Sequence, residues 1–482
     1  MGKQESSLAE FIGITAPESP KFLVSNNFLS RYFNSDKNDS KAYKYDDFKD
    51  MLVCEEIDNN NIQRIKESFN RFFDIFTGKS IMSVNKNAVI YFPVNKTMLR
   101  TGRIQLRHLL FNLQHSDKKF NYKDIQDKLE KYLYGQNIGT NNLLSEICED
   151  IPNNNSKADD KKDQTFDILR EKAFFKSIGV NLNEDINTLL TSENFTKLDF
   201  YKKYDYLSTL LTSYVIQFIL HRKEIKNQCI LCKGSANNSL NRGEFHRACV
   251  LNYANIRDVF PKLLIDFYHE KMKDIESVKL KLIDGEIHTE KGILFTDFVN
   301  RLFDINLHIQ VNKDPRLIRA FSLREGFEKE FLREEFLANY VNFTKKVKGS
   351  NIVKISSTLP TSGREIGFIY PSNSTKHKYF AMSGELAEFY VRLYLSSKDG
   401  LSYDYLDNFL EWLEHRYSIY TRKTKSLDKY LSKLNAKVTI QDYRKNEQAL
   451  VDNLNSINCL IKLSDSGYVI TLPEKKGEFK LL

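Results

Sequence analysis

Glycine and proline are scarce in this chain, at 19 and 9 of 482 residues, and tryptophan occurs once. So few backbone breakers exclude a collagen-like repeat and a Pro/Gly-rich low-complexity chain. No stretch reaches the roughly 18 consecutive apolar residues of a membrane-spanning helix, so no span is expected. The amino terminus lacks the basic-then-apolar pattern of a secretory signal. Met1-Gly2 with Ser6 formally matches an N-myristoylation pattern, but it is read as an ordinary terminus. Six cysteines are too few to staple so long a chain and point to a reducing, cytoplasmic compartment. Neither sign of charge dominates: 72 Lys+Arg against 63 Asp+Glu give +9, a mild excess that favours an anionic partner.

What is present suffices for folding, since 41% apolar and 12% aromatic residues can fill sizeable cores. The length suggests about three domains, and the pattern predicts a mainly α chain with small β hairpins. Residues 1–151 read as a mixed α/β domain, with an amphipathic helix at 60–76, a strand from Val89 to Val94 and a helix from Ile104 to Leu113. Residues 152–165, PNNNSKADDKKDQT, read as a linker. Residues 166–349 read as a helical domain. Within it, Ile256 to Met272 carries a helical stripe, Asp284-Gly285 supplies the turn of a hairpin over 278–290, and Ser322 with Glu325 caps a long helix. Residues 350–482 complete the chain. Helices are expected at Gly384–Leu395, Tyr405–Tyr417 and Ile440–Asn458, then strands at Cys459–Leu463 and Tyr468–Leu472. Three helices followed by a two-stranded hairpin is the order of a winged-helix domain.

The strongest local motif is Cys229-Ile-Leu-Cys232, followed after a polar loop by His246-Arg-Ala-Cys249. A two-residue spacing lets both thiolates of a pair reach one ion, and His246 and Cys249 at i, i+3 share a helical face. Four such ligands close the tetrahedron of structural Zn2+, leaving no open position for catalysis. Cys54, Cys148 and Cys459 are isolated and read as buried small hydrophobes.

The second motif is basic. Between Arg416 and Lys437 stand seven Lys/Arg and one Asp within 22 residues, interleaved with Tyr417, Tyr420 and Tyr430. Arg416, Arg422, Lys423, Lys425 and Lys429 are candidate phosphate contacts. Gln441, Arg444 and Lys445, near the start of the third helix, are candidates for groove contact with DNA. A third pattern, Asp284, Glu286 and His288, would suit a nuclease metal on one strand, but the hairpin turn takes Asp284 off that face. Thr77-Gly78-Lys79-Ser80 lacks the earlier glycine of a phosphate-binding loop, and no nucleophile elbow or His-Glu-x-x-His helix occurs.

Three segments, DNFLEWLEHRYSIY from Asp407 to Tyr420, Asn446–Leu450 and Leu463–Val469, carry a resemblance. This carboxyl-terminal region resembles that of accessory proteins of bacterial restriction-like anti-phage defence systems, of methylation-associated or phosphorothioate-linked type. The resemblance implies a subunit of a complex acting on foreign DNA, and it transfers no catalytic residue. The expectation is a cytoplasmic, zinc-stapled, non-catalytic adaptor whose partners are DNA and other defence subunits. A divergent metal-dependent nuclease, or a scaffold whose winged helix binds protein, are the alternatives.

Overall fold

The computed structural model describes residues 106–134, 166–222, 229–231, 244–259, 280–284, 286–294, 358–370, 377–398, 401–436, 438–463 and 467–478, with single positions at 24, 25, 28, 29, 32, 263 and 297. The helix expected at 60–76, the strand at 89–94, the linker at 152–165 and the capped helix from Ser322 lie outside these residues.

The helical part begins with α1 (Leu106–Gln114), α2 (Tyr122–Tyr134), α3 (Ala173–Thr191) and α4 (Phe200–His221), with short helical turns at Asp167–Glu171 and Glu193–Thr196. From Tyr206 to Leu220 every side chain of α4 is buried, so this helix is surrounded by others. Two of its hydroxyls are accommodated locally: Ser208 and Ser213 each donate to the carbonyl four residues back at 2.8 Å. Strand β1 (Cys229–Ile230), α5 (Glu244–Arg257) and the hairpin β2 (Leu280–Ile283)–β3 (Glu286–Thr289) follow. The hairpin has the expected two-residue connection, with Ile283 opposite Glu286 and Asp284 in the left-handed region at φ 49°.

The carboxyl-terminal part runs α6 (Thr358–Glu365), β4 (Ile369–Tyr370), β5 (Tyr379–Phe380), α7 (Gly384–Ser397), β6 (Tyr403–Tyr405), α8 (Leu406–Tyr417), β7 (Ile419–Tyr420), α9 (Lys425–Lys433), α10 (Ile440–Ser456), β8 (Leu460–Lys462) and β9 (Tyr468–Thr471), ending in a 3-10 turn at Pro473–Glu478. Side-chain caps fix three of these helix starts. Ser383 accepts from Leu386 N and Thr424 from Leu427 N, while Thr439 and Asp442 form a reciprocal capping box. Strands β6, β9 and β8 form an antiparallel sheet in that order, β4 pairs with β5, and β1 runs parallel to β7. The chain is thus mostly helical with a few small sheets.

One continuous core contains side chains from α1 to α4 and from α6, α7, α8, α10 and β9. The boundary expected at 349–350 lies outside the described residues, but the helices on either side of it share this core. Two arginines, one buried and one partly buried, reinforce the joint. Arg392 on α7, its side chain 2% exposed, donates to both carboxylate oxygens of Glu474 (2.6 and 3.0 Å), to Glu388 (3.1 Å) and to the carbonyl of Asn194 (2.9 Å). Burial opposes the Glu474 charge, but the Arg392 hydrogen bonds outweigh it and hold the carboxyl below its ordinary value. That contribution to stability is present at neutral pH and is lost as acidification protonates Glu474. Arg416 makes the second tie, described below.

Candidate metal centre and nucleic-acid interface

The carbonyl of Ser418 accepts from Cys229 N at 3.0 Å and that of Tyr420 from Leu231 N at 3.1 Å, which fixes β1 beside β7. Helix α5 packs across β1 and β5, so the strand bearing Cys229 lies next to the helix bearing His246 and Cys249. Both thiols are fully buried. Cys229 belongs to the main core, whereas Cys249 joins a smaller cluster with Phe245, Ala248, Tyr379, Leu427, Leu431 and Tyr443. The His246 ring stands edge-on to Tyr379, with centroids 5.0 Å apart. Burial pushes the Cys229 thiol well up, so it stays neutral unless a cation compensates it. Cys232 lies outside the described residues. Among the described residues no three Cys, His, Asp or Glu side chains converge as metal ligands.

The basic candidates separate into two groups. Arg416, expected to contact DNA, is committed inside the protein. Its guanidinium donates to Asp185 Oδ1 (2.7 Å), Glu184 Oε2 (2.7 Å), Asn181 Oδ1 (2.8 Å) and the Asn181 carbonyl (2.7 Å) on α3. Arg422 is similarly engaged, by Asp407 at 2.8 Å and Glu414 at 3.1 Å, and Lys423 lies 3.4 Å from Asp428. The second group is exposed: Lys425, Lys429, Gln441, Arg444 and Lys445, with Lys433 beside them. None of these five cations pairs with a carboxylate among the described residues.

Helix α9 explains the difference. The middle of the basic motif is helical because Thr424 caps it and Leu427 and Leu431, at i and i+4, bury against Tyr443 of α10. Tyr430 donates to Asn252 of α5 at 2.6 Å, and Tyr443 donates to Asp428 at 2.7 Å. These contacts turn Lys425, Lys429 and Lys433 outward on one stripe. On α10 the buried set Tyr443, Asn446, Leu450 and Leu454 likewise leaves Gln441, Arg444 and Lys445 facing out. Capping by Thr424 and the Leu427/Leu431 spacing were the signals in the sequence for α9.

Glu447 is half-buried beside these cations. Burial raises its carboxyl above the ordinary value, Arg422 opposing and Asp407 adding to the effect. A raised carboxyl favours the folded state only while protonated, so its contribution disappears as pH rises through the raised value. Glu447→Gln should therefore raise Tm at pH 7 by on the order of 1 °C and leave it unchanged near pH 4. Scanning calorimetry at the two pH values measures this, and an equal shift at both would contradict it.

No helix among the described residues is long and apolar enough to cross a membrane. Protein-family models, curated proteins and solved structures give no match to this chain.

Proposed function

We propose that the chain is a non-catalytic, DNA-engaging adaptor of a bacterial anti-phage defence complex in the cytoplasm. In this reading α7, β6, α8, α10, β8 and β9 make a winged-helix-like module, with α10 as the groove-facing helix. The order of the helices and the sheet order β6-β9-β8 support that assignment. The observation that carries the DNA reading is the row of exposed cations on α9 and at the start of α10, without carboxylate partners among the described residues. Placement in a defence complex rests on the resemblance of Asp407–Tyr420, Asn446–Leu450 and Leu463–Val469 to accessory defence proteins.

The test is duplex-DNA binding by the full chain across a salt series, with Arg444→Gln/Lys445→Gln as the comparison. Binding that weakens steeply with salt, and weakens further in the variant, is the expected outcome. Cleavage of plasmid in Mg2+ or Mn2+ would replace the adaptor with the nuclease alternative. A specific feature favours a second reading, the protein-binding scaffold: Tyr403 and Tyr405 on the edge strand β6, and Leu401 just before it, are 47%, 60% and 47% exposed. Absence of DNA binding, with retention of partner subunits, would select it.

Zinc held by Cys229, Cys232, His246 and Cys249 belongs to the same proposal. The four-residue spacing pattern and the packing of β1 on α5 support it, and thiolate and imidazole donors suit this ion. Because Cys249 shares a cluster with Leu427, Leu431 and Tyr443, such a staple would brace the helices carrying the exposed cations. Elemental analysis should find about one zinc per chain, lost in Cys229→Ser and Cys249→Ser. A folded protein with no zinc would remove the assignment.

A further inference from the structure

We infer that the phosphates of duplex DNA run over α9 and the start of α10 and avoid α8. Lys425, Lys429 and the previously unassigned Lys433 would then form the sequence-independent clamp. This rests on the DNA-binding reading above and adds a direction to it.

Charge on this module is segregated by the packing described above. The outward stripe of α9 consists of Lys425, Ser426, Lys429, Ser432 and Lys433, all exposed, at i, i+1, i+4, i+7 and i+8. The one carboxylate of α9, Asp428, is turned onto Tyr443 and Lys423. Helix α8 is the reverse. It presents Asp407 and Glu411, with side chains 82% and 62% exposed, and holds Glu414 beneath them. Arg422, the cation nearest to these carboxylates, is shared between Asp407 and Glu414, and Glu447 of α10 adds a further acid within its reach. A phosphate strand laid across α8 would meet at least two exposed carboxylates and no free cation. The same strand laid along α9 would meet three lysines, with Arg444 and Lys445 next in line. Phosphate contacts set register without reading bases, so sequence preference would fall to Gln441 and Arg444 on α10.

Two full-length variants test this with a short duplex of random sequence over roughly 50–200 mM salt. In Lys425→Gln/Lys429→Gln/Lys433→Gln the slope of log K against log salt should become shallower by about 2.7, at about 0.9 per phosphate contact. All three side chains are exposed, so the thermal transition should not move, and that transition serves as the folding control. In Glu411→Gln affinity should change less than about twofold, because no phosphate passes α8. An unchanged slope in the triple variant, or an affinity gain above about tenfold in Glu411→Gln, would overturn the assigned path. Tighter binding of single-stranded DNA or of RNA than of duplex would overturn the ligand class. If the unsubstituted protein binds no nucleic acid, the DNA-engaging function itself falls, a result distinct from either slope outcome.

Discussion

Replacing Asp185 with alanine is expected to cost about 3–5 kcal/mol of stability, because it leaves partners of a buried ion pair uncompensated. Asp185 is 2% exposed on α3 and serves three donors from two other helices. Arg416 of α8 gives it a hydrogen bond at 2.7 Å, and the hydroxyls of Tyr214 on α4 and Tyr417 on α8 each donate to it at 2.5 Å. Burial first, and then the neighbouring Asp185 charge, push both tyrosines well above their ordinary value, so they remain neutral donors. Removing the carboxylate strands two buried hydroxyls together with a guanidinium whose other acceptor of full charge, Glu184, is 62% exposed. Asp185→Asn should also destabilise, since an amide presents NH2 to donors that need an acceptor. The double variant Asp185→Ala/Arg416→Leu should lose less than the sum of its single changes, and a double-mutant cycle in urea reads that coupling directly. Were Arg416 a DNA ligand, its replacement would weaken binding and leave stability unmoved. The geometry requires the opposite, with stability falling first. Additivity of the two single changes would mean that the pair does not exist in solution.

The contrast between Arg416 and Lys425 marks how far the sequence could be read. Elements set by local pattern were legible: helices α7, α8 and α10 follow apolar residues at helical spacing, and the Asp284 turn follows from an Asp-Gly pair. Strands β8 and β9 fall within the expected hairpin. Elements made by distant partners were not legible. β1 and β7 are two residues each and are joined by a pairing of Cys229 with Ile419, which no periodicity announces. Strand β6 was missed because three residues with both tyrosines exposed show no apolar face. Charge was the least readable property of all. The count of seven cations between Arg416 and Lys437 holds, but a guanidinium paired 231 residues away cannot be told from a free one along a line of letters. The residues available to a polyanion emerge only once the internal pairs are subtracted.

Gly179→Ala is the substitution for which local propensity and tertiary packing make opposite predictions. Glycine within a helix ordinarily costs about 1 kcal/mol relative to alanine, so propensity alone predicts a more stable protein. Gly179 lies in the middle of α3, where a Cβ would stand 2.0 Å from the carbonyl oxygen of Leu113 and 2.2 Å from Ser116 Oγ. The first of these is backbone and cannot swing aside. The end of α1 is also held there from both flanks. Asn183, one turn on, donates to the Gln114 carbonyl at 3.0 Å, and Ser116 Oγ lies 2.6 Å from the Leu113 oxygen and 3.3 Å from that of Phe175, one turn back. Admitting a methyl therefore means prising α1 from α3 and breaking the side-chain hydrogen bonds that tie the end of α1 to α3 at the Gln114 and Phe175 carbonyls. The expected net loss is about 3 kcal/mol, toward the upper end for overpacking, seen as a lower urea midpoint at an unchanged m value. Val180→Ala, at an adjacent residue of the same helix that is 36% exposed, provides the control and should stay within about 0.5 kcal/mol. A gain in stability at Gly179 would show that α1 does not seat against α3, and the amino-terminal edge of the core would have to be rebuilt without that contact.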